Sequence, residues 1–162
     1  MSSLKHSFTE QAKHATLVFE REIPSAVSEV FDAFASAKIR SEWGAPSDTA
    51  VIIYDTENFS EGGFDRYRCG SKQNPNIHGT THYLEIIKNN RIVSTETIVM
   101  EGKRLCASLT TLELEQTGKT TRLLSTTQVA SFVGDSMIKG HEDGHNSSFT
   151  NLVRYFSDRQ QA

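Results

Sequence analysis

The sequence has little that would staple, anchor or strongly charge a protein. Only two cysteines, Cys69 and Cys106, occur in 162 residues, and they stand far apart. A disulfide framework is therefore not expected, and the pair reads as reduced thiols of a cytoplasmic protein. The opening stretch from Met1 to His14 is polar and charged and has no apolar h-region, so secretion is not expected. No run approaches the roughly 18 apolar residues of a membrane span. Two glycosylation-like triplets, Asn58-Phe59-Ser60 and Asn146-Ser147-Ser148, carry no weight in such a chain. Charge of one sign is also scarce. The net charge is −3 and neither sign forms a long block, which argues against a nucleic-acid partner. Apolar residues make up 36%, enough for one domain and better suited to a thin sheet with a solvated face than to a thick layered core.

What is present is strand after strand. Ala15, Leu17 and Phe19 alternate with polar neighbours from His14 to Ile23, a strand stopped by Pro24. Ser25 is the candidate N-cap of a helix whose Val27, Val30, Phe31 and Phe34 share one face. A second short helix, Lys38 to Trp43, ends at Gly44-Ala45-Pro46. Strands then follow at Thr49–Thr56, Phe64–Cys69, Ile77–Lys88, Arg91–Met100, Arg104–Gln116 and Thr120–Phe132. Asn89-Asn90 is expected to form a type I′ hairpin turn, and Glu101-Gly102-Lys103 and Thr117-Gly118-Lys119 close two more hairpins. Phe149, Leu152, Val153 and Phe156 mark a last helix, from about His141 to Ser157. Residues 1–13 read as a flexible leader and 14–160 as a single domain.

A twisted meander of about seven strands must curl, and only the last helix is long enough to cover its concave face. Space between a curled sheet and one helix predicts a pocket.

This order of elements, with Ile23-Pro24, Val30-Phe31-Asp32-Ala33-Phe34, Trp43-Gly44-Ala45-Pro46, Gly62-Gly63-Phe64-Asp65, Ile77-His78-Gly79 and Glu142-Asp143-Gly144-His145, resembles the START-like superfamily. That superfamily has the helix-grip fold of the birch-pollen allergen. Within it the chain is most similar to the branch homologous to activators of the heat-shock-protein-90 ATPase. The resemblance spans about residues 15–157. It implies an α+β fold in which a curved antiparallel sheet wraps a long C-terminal helix, with two short helices after the first strand. It also implies a cavity for lipid- or polyketide-like ligands, in a family of binders, cyclases, hydrolases and chaperone co-factors. Relatives usually carry Gly-Trp or Gly-Thr where this chain has Gly144-His145, which puts a titratable group at that place.

His141-Glu142-Asp143-Gly144-His145 matches the zinc-protease pattern H-E-x-x-H. Gly144 weakens the helix, no third ligand is evident and the surrounding fold is not a protease, so no metal is expected. His78 and His82 are about 13 Å apart along a strand, too far for one ion. In Phe64–Cys69, alternation places Asp65, Tyr67 and Cys69 on one face. An inward Asp65 needs a partner: it is either a ligand anchor or half of a structural pair. Cys69 has no activator in sequence and reads as an inert buried thiol. Trp43 either floors the cavity mouth or plugs the domain edge.

The leading expectation is a binding protein for a small hydrophobic or aromatic molecule, with Trp43, Asp65, Tyr67, Tyr83, Phe132, Met137 and His145 lining the cavity. No cofactor and no catalytic residue is assigned. The partner is a small hydrophobic molecule, with neither nucleic acid nor membrane, and a homodimer is compatible with the sequence. The alternatives are a cyclase or hydrolase using His145 and Asp65 as acid and base, and a chaperone ATPase activator.

Overall fold

Six consecutive strands lie side by side in chain order, and the first strand closes the far edge. In a computed structural model, which describes residues 11–161, these are β1 (Lys13–Ile23), β2 (Ala50–Thr56), β3 (Phe64–Ser71), β4 (Ile77–Ile87), β5 (Arg91–Met100), β6 (Lys103–Thr117) and β7 (Thr120–Ser131). The sheet order is β1-β7-β6-β5-β4-β3-β2, antiparallel throughout. The first and second strands thus form opposite edges. Helices α1 (Val27–Ala35) and α2 (Ala37–Trp43) carry the chain from one edge to the other, and α3 (Asp135–Gln160) follows the last strand. This is the α+β helix-grip arrangement. The leader expected over 1–13 falls mostly outside the described residues, and Lys13 already belongs to β1.

The curl has local causes. Register shifts at Tyr54/Thr56, Tyr83/Glu85 and Ile98/Val99 mark irregularities of the kind that bend and twist a sheet. The tight type I′ geometry falls at Glu101-Gly102, where φ is 51° and 75° and Met100 pairs with Lys103 across a two-residue loop. The Asn89-Asn90 turn is not of that type. Only Asn89 has positive φ, at 61°, and the loop closes by Asn90 N–H donating to Ile87 O at 3.0 Å.

Helix entry also differs from expectation. The N-cap residue of α1 is Ala26, which has no capping side chain. Ser25 Oγ bonds the Glu29 carboxylate instead. The open Val27 N–H donates to Gln116 Oε1 of β6 at 2.8 Å, so the cap comes from the sheet. In α2, Ser36 Oγ accepts from Ile39 N–H at 3.3 Å. The long helix begins six residues before the expected His141. Its start falls after Gly134, whose φ of 82° favours glycine, and Asp135 meets the positive end of the helix dipole.

The larger core is built where α3 and α1 meet the sheet. Leu152, Phe149 and Phe156 pack with Phe19, Ile23, Val30 and Leu123. Among the described residues no helix is long and apolar enough to cross a membrane.

Candidate functional site

Beyond this core the sheet and α3 part to leave a cavity of about 430 Å³. Its walls are mostly apolar, with Phe34, Trp43, Ile52, Phe59, Ile98 and Phe149 contributing. Two polar poles interrupt them.

The first pole joins α2 to the sheet. Ala37, Arg40 and Trp43 recur every three residues and are the buried residues of α2. This face carries the Arg40 guanidinium inward, where Nη2 donates to Asp65 Oδ2 at 2.7 Å. Asp65 is 1% exposed. Its Oδ2 also accepts from Tyr83 OH, and its Oδ1 accepts from Asn58 N–H at 2.8 Å. Arg40 further donates to Phe34 O and lies over the Tyr54 ring, 4.6 Å from the centroid. Burial by itself would weaken the guanidinium's hold on its proton. Tyr54, Tyr83 and Asp65 outweigh it, so Arg40 stays charged. Burial, and then the bond to Asp65, push the Tyr83 phenol well above its ordinary range, so it remains a donor.

The second pole joins β3, β4 and β5 to α3. Tyr67 OH donates to Glu96 Oε2 at 2.6 Å, and Thr81 Oγ1 reaches the same oxygen at 3.4 Å. Tyr67 can lie there because Gly79 pairs opposite it, where a Cβ would overlap the phenol ring. Burial and the adjoining Glu96 raise the Tyr67 phenol. The other oxygen of Glu96, Oε1, faces His141 Nε2 at 3.9 Å. His141 is buried, and among the described residues neither of its ring nitrogens has a hydrogen-bond partner. His145 stacks between His141 (4.9 Å, 30°) and Phe19 (5.4 Å, 21°). Burial and then His141 lower the His145 pKa to about 4, so its ring is neutral at pH 7.

The family model described as activator of Hsp90 ATPase homolog 1-like protein matches residues 24–157. The chain belongs to this family. No curated protein matches it. Among solved structures, the Mll3558 protein of Rhizobium loti is 30% identical, with a TM-score of 0.78 over 89% of this chain and 98% of that one. An uncharacterised Rhizobium leguminosarum protein is 26% identical, with a TM-score of 0.71 over 90% and 98%. DynU16, from the dynemicin biosynthetic locus, shares the fold at 14% identity, with a TM-score of 0.65 over 88% of this chain and 47% of its own.

In this member of the activator-homologue family, six of the seven expected lining residues border the cavity: Trp43, Asp65, Tyr67, Tyr83, Met137 and His145. Phe132 does not. Buried positions on β7 run Thr121, Leu123, Ser125, Thr127, Val129 and Ser131, so residue 132 has the opposite parity. Trp43 both borders the cavity and packs at its end, with Nε1–H donating to Ala33 O at 3.2 Å and its ring edge-on to Phe34 at 5.0 Å. Asp65 forms the structural pair of the two alternatives, with Arg40 of α2 as its charged partner. Cys69 borders the cavity as a free thiol that burial pushes up to about 11. His78 and His82 are exposed on the opposite face of β4 from Tyr83.

Arg40 and Glu96 were not singled out by the sequence, and His141 was weighed there only as a metal ligand; each left a trace. Arg40 keeps i, i+3 spacing with Ala37 and Trp43. Glu96 shares strand parity with Ile92 and Ile98, both buried. His141 shares the His145 face of α3, while Glu142 is exposed. Among the described residues no group of three or more His, Cys, Asp or Glu is placed to hold a metal.

Proposed function

We propose that the protein binds one small hydrophobic or aromatic molecule between the concave sheet and α3. The observation that carries this reading is the cavity itself: about 430 Å³, in the size range of small-molecule sites, with apolar walls and a few fixed polar groups. Arg40, Asp65 and Tyr83 satisfy one another and hold the wall. They keep the cavity end rigid and leave the apolar surface to supply affinity.

The catalytic alternative requires Asp65 and His145 to act on one point. Asp65 has both oxygens engaged by Arg40, Tyr83 and Asn58, and His145 packs against Phe19, His141 and Phe149. Binding therefore uses more of the site than acid–base chemistry by this pair does. Stimulation of a chaperone ATPase, the activity in the family's description, draws on no feature of the cavity.

Trp43 is the sole tryptophan and borders the cavity, so its emission reports occupancy. Titration with the neutral fluorophore N-phenyl-1-naphthylamine is expected to quench it to saturation at one molecule per chain. Unsaturable or absent quenching would remove the proposal.

A further inference from the structure

The charged groups bordering the cavity do not balance in the way the apolar walls suggest. Arg40 and Asp65 neutralise each other at one pole. At the other, Glu96 has no Lys or Arg ion-pair partner among the described residues. Its Oε2 is occupied by Tyr67 and Thr81, and its Oε1 faces the His141 imidazole at 3.9 Å. That gap is too long for a hydrogen bond. It matches an oxygen placed about 2.8 Å from each atom, the ordinary length of such bonds.

The second observation is His141 itself. Its side chain is 3% exposed, it borders the cavity, and neither nitrogen has a partner among the described residues. A buried imidazole left without partners is costly, and the Glu96 side chain, 24% exposed, gives access from the cavity. A hydrogen-bond donor placed at that point meets Glu96 Oε1, and the unpartnered His141 ring meets it with either tautomer. A hydroxyl donates to Glu96 Oε1 and accepts from His141 Nε2–H. A carboxylate meets Glu96 as a like charge. An ammonium donates to Glu96 Oε1 as an opposite charge and, with the imidazole proton on Nδ1, to Nε2 as well. The stacked His145, neutral at pH 7, adds an aromatic surface beside the pole and no competing charge.

We propose that Glu96 and His141 form a donor-reading pole that selects an aromatic ligand bearing a hydroxyl or an amine over a carboxylate or a bare hydrocarbon. This rests on the ligand-binding reading above and specifies the chemical class bound there.

The test is calorimetric titration of the wild-type protein with naphthalene, 1-naphthol, 1-naphthoate and 1-naphthylmethylammonium. The expected result is 1-naphthol binding about tenfold or more tighter than naphthalene, as a hydrogen bond to a charged group provides, with the ammonium also tighter than naphthalene and the naphthoate weaker. In Glu96→Gln and His141→Leu the naphthol-to-naphthalene ratio falls toward one. The four-ligand comparison needs no variant, so it stands even where a substitution impairs folding. Equal binding of naphthol and naphthalene overturns the donor-reading pole while leaving a hydrophobic binder, as does binding of naphthalene or naphthoate more tightly than the ammonium, or a ratio unmoved by both substitutions. Failure of all four to bind removes the ligand reading itself and this inference with it.

Discussion

Arg40 Nη2 donates to Asp65 Oδ2 at 2.7 Å, and their side chains are 9% and 1% exposed. A buried pair of this kind is costly to break and much less costly to replace. Arg40→Met strands the Asp65 carboxylate and is expected to lower unfolding free energy by about 3–5 kcal/mol. Arg40→Met combined with Asp65→Asn removes both charges and keeps an acceptor for Tyr83, so it is expected to recover a substantial part of the loss. Urea denaturation of the wild type, the single variant and the double variant measures this. Equal destabilisation by the single and double variants would show that the charge pair is not what holds this wall.

His145 sets a pH window. Its folded pKa is about 4, below the ordinary 6.5, through burial and then His141. The unfolded chain therefore takes up a proton that the folded chain refuses. The contribution is fully present above pH 6.5 and is lost as pH falls toward 4. It amounts to about 3 kcal/mol. His145→Phe keeps the stack on Phe19 and removes the titration, so its stability is expected to fall less over that range. Parallel pH dependences of the two proteins would contradict it.

Gly79 is the seat of the Tyr67 ring. Gly79→Ala forces the phenol away and is expected to cost about 1–3 kcal/mol, as overpacking does, and to break the Tyr67–Glu96 bond. Thermal denaturation reads the first effect and the tyrosine near-ultraviolet circular dichroism the second. An unchanged spectrum and midpoint would mean that Tyr67 does not lie over that glycine.

Cys69 and Cys106 are buried, and burial pushes their thiols up to about 11 and about 12. At pH 8 only about one Cys69 thiol in a thousand is ionised, and thiolate is the reactive form. Iodoacetamide is expected to leave both unmodified in the native protein and to label both in urea, read by intact mass. Native labelling would contradict their burial.

The strands were legible because hydrophobic alternation and hairpin turns are local. The same parity on β3 grouped Asp65, Tyr67 and Cys69 on the buried face. Arg40 was not legible as the partner of Asp65. The two residues lie 25 positions apart, and the pairing exists only once α2 folds against the sheet. The early start of α3 was hidden by Asp135, Ser136, Lys139 and Gly140, which dilute the helical repeat before Phe149. Phe132 follows β7 at the parity opposite to that strand's buried positions. Glu96 sits between Thr95 and Thr97, a run that reads as solvated strand until the curl puts one face inside.

The most direct test of the cavity as a binding site is to fill it. Ser94 of β5 borders the cavity opposite Tyr83 of β4, so Ser94→Phe fills the space without removing a polar group of either pole. In a Trp43 emission titration with N-phenyl-1-naphthylamine, the wild type is predicted to saturate at one molecule per chain. Ser94→Phe, still unfolding cooperatively, is predicted to lose that saturable binding. Equal saturable binding by both proteins would place the ligand elsewhere and contradict the account.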